Sequence, residues 1–245
     1  MITIVHLYPR ELGINGDVGN VMALAKRAEW RGMPVRVVNH EVGAALPEVA
    51  HLVHIGSGPV SAQQLVRADL SRIGPTLLDW AAAGVPFLAI AGGWQLLGRS
   101  IVDVDGATTP GVGIFPSTAS LVSKRAVNEV VVQTALGEVA GFENKGAVTL
   151  LLDGAEPLGR TLHGHGNAAG AGPLAGALEG VVVGASIGSN LHGPFLPMNP
   201  VWADRLLSAA AALAGVEMGE PDARTADVDE RAANSRGAIR GRLGL

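Results

Sequence analysis

Between Met1 and Gly98 the chain alternates short apolar runs with stretches whose apolar residues recur every three or four positions, and this alternation leaves few folds open. Met1–Leu7, Pro34–Asn39, His51–Ile55 and Val85–Ile90 read as strands. Gly16–Gly32 reads as a helix, with Val21, Leu24, Ala25 and Ala28 on one face, and Ala62–Leu70 and Thr76–Ala83 read as two more. A strand-helix order of this kind predicts a mostly parallel sheet covered by helices on both faces, with ligands bound at the carboxyl ends of its strands. From about Thr109 to Gly193 the pattern changes to short β-branched runs between Gly- and Asn-rich turns, which predicts a β-rich half. Trp202–Ala214 reads as a closing helix. The expected organisation is one domain over 1–214 and a charged, flexible tail over 215–245 with a short helix near Asp227–Ala233.

The core must be largely aliphatic, because aromatic residues make up only 4% of the 245. The 34 glycines point to many tight turns and close backbone approaches. With no cysteine the chain has no disulfide, no thiolate metal site and no thiol nucleophile. A net charge of -4 offers no general attraction for nucleic acid. No secretory leader or apolar stretch of membrane-spanning length is visible, so a cytoplasmic location is expected.

One segment points to chemistry. The apolar run Val85–Ile90 enters Ala91-Gly92-Gly93 and then a helix start, the sharp strand-to-helix turn that holds a catalytic side chain at a sheet's carboxyl edge. The position that calls for a nucleophile carries a methyl group, which attacks nothing.

Several further segments carry a resemblance over roughly residues 3–214. They are His6-Leu7-Tyr8-Pro9 through Asn15-Gly16-Asp17-Val18-Gly19-Asn20 to Arg27-Ala28-Glu29-Trp30-Arg31-Gly32; Gly56-Ser57-Gly58 with Gln63-Gln64-Leu65-Val66; the turn at Ala91; and Ile187-Gly188-Ser189-Asn190-Leu191-His192-Gly193-Pro194-Phe195-Leu196-Pro197-Met198-Asn199-Pro200. Gly141-Phe142-Glu143-Asn144 and Gly164-His165-Gly166-Asn167 agree as well. Together these resemble the GatD-type glutaminase subunits of the CobB/CobQ-like class I glutamine amidotransferases. The resemblance implies a flavodoxin-like three-layer α/β fold. It implies a Cys at the Ala91 position as nucleophile, His192 as its base, and Gly92 and Gly58 as sources of oxyanion-binding amides. It assigns Arg125 to the carboxylate of bound L-glutamine, a task that suits a planar bidentate donor. It also implies a heterodimer with a MurT-like Mur-ligase subunit, which supplies the carboxylate of the triad and amidates lipid II with the released ammonia. No cofactor or metal is implied. With Ala91 in place no glutaminase activity is expected, and a pseudoenzyme scaffold or regulatory subunit of a synthetase is the alternative. A cobyric-acid-type amidotransferase fits less well, because those proteins usually carry a fused synthetase domain.

The chain departs from the family elsewhere. Pro59-Val60-Ser61 replaces a polar segment after Gly58, and Lys145-Gly146-Ala147-Val148 follows Asn144 where the family usually has His, small residues and Arg. Changes gathered round one pocket fit natural loss of the nucleophile better than a single engineered substitution. Asp17 reads as a helix-start residue favoured by the macrodipole. His163 and His165, without an evident carboxylate partner, read as turn or surface residues. Asp103 and Asp105 read as a hairpin turn. Gly164 to Ala169 fits Gly-x-Gly-x-x-Ala in form only, since no helix evidently follows it.

Overall fold

The computed structural model describes residues 1–168 and 176–245. In chain order, β1 (Ile2–Leu7) leads to α1 (Val18–Trp30), and β2 (Val35–His40) and β3 (Leu52–Ile55) follow. α2 (Val60–Ala82) returns the chain to β4 (Phe87–Ile90), which α3 (Gly92–Leu97) leaves at once. β5 (Ser100–Val102) and β6 (Thr108–Pro110) form a short hairpin, and β7 (Ser117–Thr134) and β8 (Gly137–Leu151) a long one. The short strands β9 (Gly159–His163), β10 (Leu178–Glu179), β11 (Val181–Val183), β12 (Ser186–Ser189) and β13 (Leu191–His192) come next. Helices α4 (Phe195–Met198), α5 (Pro200–Ala214) and α6 (Ala223–Leu243) complete the chain.

The first sheet runs β11-β12-β4-β3-β1-β2, and only the β11–β12 pair is antiparallel. Its five parallel strands stand in the 2-1-3-4-5 order of flavodoxin-like sheets, in which the winding direction reverses between β1 and β3. The central strands β1, β3, β4 and β12 bury both faces, so one side-chain alternation builds two cores. Ile2, Ile4, Leu88 and Ile90 pack with α1 and α5 through Val21, Leu24, Ala28, Leu206 and Leu207. Val5, Leu7, Phe87 and Ala89 pack with α2 and α3 through Val66, Leu70, Leu77 and Trp94. These three layers match the architecture expected from the alternating runs. The β-rich half is a second sheet built on β7, which pairs β5, β8 and β9.

Two elements differ from expectation. The stretches 62–70 and 76–83 belong to one helix, α2, which runs through Pro75. Val66, Leu70, Ile73 and Leu77 form a single buried stripe along it, and their contact with the sheet outweighs the backbone bond that proline removes. At the end of the chain, where composition suggests a solvated tail with a short helix, α6 runs for 21 residues. Asp222 caps it by accepting from Thr225 N at 3.0 Å, and Ala232 and Ile239 lie buried along one side.

Candidate functional site

β4 turns sharply into α3 at Ala91, the position at which the sequence reading expects a nucleophile. Ala91 has φ 43° and ψ -103°, a conformation costly for any residue with a Cβ. Its N–H donates to Ser189 O at 2.8 Å and its carbonyl accepts from Gln95 N at 2.9 Å, so the bend is held from both sides. Crowding explains the glycines around it. A Cβ on Gly93 would lie 2.5 Å from Gly56 O, and one on Gly92 would lie 2.7 Å from Gln63 Nε2.

His192 leaves the sheet close by, three residues beyond the Ser189 carbonyl that Ala91 contacts. Its Nδ1 lies 2.9 Å from Asp17 Oδ1, and both side chains are fully buried. The other Asp17 oxygen accepts from Ser57 N at 2.9 Å. Asp17 therefore corrects the reading of it as a helix-start residue. It stands at the N-cap position of α1 but makes no capping bond, because its carboxylate is spent on His192 and the loop after β3. Burial pushes its carboxyl pKa up, against the opposing pull of His192 and the Ser57 amide. With Asp17 ionised, Nδ1 donates to it, and Nε2 is left buried without a partner among the described residues. An imidazole oriented by a carboxylate, with its far nitrogen bare, has the arrangement of the acid-base part of a triad, and the carboxylate is this chain's own Asp17 where the resemblance implies one from the partner subunit.

In front of the elbow lies a cavity of about 350 Å³. Ala91, Gly92, Ser57, Gly58, Gln63 and Arg125 all contribute to its wall, whereas His192 lies off the lining. Arg125 reaches the cavity through an irregularity in the long hairpin. Between the pairs Leu121–Ala147 and Ala126–Lys145, four residues of β7 face only Gly146 of β8. Such bulges bend a strand and re-aim its side chains. The guanidinium is exposed and donates to Asn144, with Nη2 2.6 Å from the carbonyl and 2.9 Å from Oδ1. Asp103 joins the same wall from the turn of the β5–β6 hairpin, where its N–H donates to Ala107 O at 2.8 Å, as its turn-like sequence implies.

A second buried polar group adjoins the site. Glu143, on β8 opposite Leu191, accepts from His165 N at 2.9 Å and lies 2.7 Å from His165 Nδ1. His165 is thus buried beside a carboxylate, which corrects its reading as a turn or surface residue without such a partner. Lys145 turns its ammonium inward to Ala147 O and Ala168 O, at 3.3 and 2.5 Å. Burial lowers its pKa, while Glu143 and Glu179 draw it back up. Glu179 is pushed up by its own burial and accepts from Ser189 Oγ and Asn190 N, each at 2.8 Å. Sequence reasoning missed Asp17, Ser57 and this cluster as site components. For Glu143 and Lys145 a signal existed, because they alternate with period two along a strand whose other face is more exposed. Among the described residues no group of His, Asp and Glu has the arrangement of a metal site. Ala169, which ends the Gly-x-Gly-x-x-Ala stretch, lies outside the described residues.

The family model of the CobB/CobQ-like glutamine amidotransferase domain matches residues 3–200. Over 218 residues the chain is 33% identical to the Staphylococcus aureus (strain N315) lipid II isoglutaminyl synthase (glutamine-hydrolyzing) subunit GatD, covering 88% of this chain and 86% of that protein. The subunit of the same name from Streptococcus pneumoniae (strain ATCC BAA-255 / R6) is 29% identical over 213 residues, 85% of this chain and 80% of that one. The crystal structure of a glutamine amidotransferase superimposes with a TM-score of 0.54 at 20% identity, covering 86% of this chain and 99% of that one.

Proposed function

Because this chain belongs to the CobB/CobQ-like glutamine amidotransferase family, we propose that it is the amidotransferase-type subunit of a cytoplasmic lipid II-amidating synthetase, paired with a MurT-like Mur ligase, and that it releases no ammonia from glutamine. The observation that carries this reading is the methyl of Ala91 at a strained strand-to-helix elbow. Thiolate attack on the glutamine amide needs a sulfur at that position, and no neighbouring base replaces it. The other roles follow the site. His192, oriented by Asp17, takes the place of the base. The amides of Gly92 and Gly58 take the place of the oxyanion donors. Arg125 faces the carboxylate of a bound glutamine from the cavity wall. A subunit that keeps this scaffold serves its partner by binding and positioning rather than by hydrolysis.

The test is to co-express the chain with a Mur-ligase-like subunit and measure two rates. No glutamate is expected from glutamine, and the partner's amidation with free ammonia is expected to rise when the chain is present. Turnover of glutamine at enzymatic rates by the unaltered chain overturns the inactive reading, and an amidation rate indifferent to the chain overturns the supporting role.

A further inference from the structure

The missing sulfur is not the only obstacle at the elbow. Ser57 lies in the loop after β3, and its side chain extends toward the amide that follows Ala91. Gly92 N donates to Ser57 Oγ at 3.4 Å, a long hydrogen bond in a buried setting. The same oxygen lies 3.4 Å from where a Cβ on Gly92 would stand, so it sits directly over this residue. The Ser57 backbone is fixed beside the elbow, because its N–H is held by Asp17 Oδ2 at 2.9 Å. Gln63 closes the adjoining rim, donating from Nε2 to Gly58 O at 3.1 Å.

In amide hydrolysis at such a turn the carbonyl oxygen becomes an oxyanion on the amide of the residue after the nucleophile. That amide is Gly92 N–H, and its line is already taken. We propose that the Ser57 hydroxyl is a second, independent block: it occupies the place of the substrate oxygen, so that restoring the thiol alone does not restore the reaction. The inference rests on the proposed reading of the elbow, but it concerns Ser57 and not Ala91. A hydroxyl can also donate, and the opposite role, an added oxyanion donor, predicts the opposite sign.

The experiment compares Ala91→Cys with the double variant Ala91→Cys/Ser57→Ala. Ser57→Ala keeps the backbone N–H to Asp17 and removes only the hydroxyl, and thermal melting of both proteins checks that each is folded. Glutamine hydrolysis by the double variant is expected to exceed that of the single one by about 10²-fold or more in kcat, the scale associated with one oxyanion donor. A ratio within about threefold, or a slower double variant, overturns the proposal. A second measurement covers weak turnover. An aldehyde analogue of the glutamine side chain adds the introduced thiolate to its carbonyl carbon, and the carbonyl oxygen takes the negative charge and then a proton, giving a reversible hemithioacetal. The double variant is expected to bind this aldehyde at least tenfold more tightly. Equal affinity, with no turnover by either variant, also overturns the proposal. The inactivity of the unaltered chain is unaffected by any of these results, so the two readings fail separately.

Discussion

Ala91 keeps a backbone conformation that a residue with a Cβ rarely adopts. A Cβ at φ 43° is strained by about 1–3 kcal/mol, and the surrounding bonds to Ser189 and Gln95 enforce the strain. With no sulfur to present, the strain has no chemical return. Ala91→Gly is therefore expected to stabilise the protein by about 1 kcal/mol, the relief of strain less the larger unfolded-state entropy of glycine. Urea denaturation measures it, and a loss of stability of similar size would show that the elbow is relaxed as it stands. Asp17 shows how far a residue's neighbours decide its work. Its position before a helix explains an acidic residue electrostatically, yet its oxygens face His192 and Ser57 from across the sheet.

At the scale of elements, α6 is bound mainly through charge. Arg27, buried on α1, reaches Asp204 on α5 at 2.8 Å and Asp229 on α6 at 2.5 Å. Arg240 pairs with Glu138, Arg242 with Glu129, and Arg236 donates to the Met198 carbonyl. The apolar part of the contact is small, with Ile239 against Val131 and Ala140. We propose that residues 1–214 are the folding unit and that the remainder is a strap appended to it. Exposed pairs are screened by salt and contribute little singly. Trypsin cleavage within α6 is thus expected to accelerate several-fold between about 0.05 and 0.5 M NaCl, while a fragment ending at Arg224 persists. Cleavage indifferent to salt would assign the contact to Ile239 and its neighbours instead.

Over the whole molecule, two buried imidazoles couple stability to pH. Burial lowers His6 to about 4, and burial together with neighbouring His6 lowers His54 to about 3, against 6.5 for an exposed histidine. Between pH 6.5 and 4 the unfolded chain binds protons that the folded chain excludes, so each histidine makes stability fall as pH falls. Asp17 and Glu179, raised by burial, work in the opposite sense, so the histidine contribution is best read by difference. The slope of unfolding free energy against pH between 6 and 4.5 is expected to be about 1 kcal/mol per unit steeper in the unaltered protein than in His6→Gln. Equal slopes would mean that His6 protonates in place.

The layered architecture and the elbow were legible in the sequence because both rest on local periodicity. Apolar runs such as Phe87–Ile90 have nowhere to go but a sheet buried on both faces, and a Gly-Gly step after such a run has few backbone solutions. What only the tertiary structure decided lies across the chain: Asp17 on His192, 175 residues away; Ser57 over the amide of Gly92; Glu143 on His165. A hydrogen bond between distant segments leaves no periodic trace, since polar residues inside a β face look like polar residues in water until another strand covers them. The extent of α6 belongs with these, because a weakly apolar helix of this composition is set by the charges it meets and not by its own propensity.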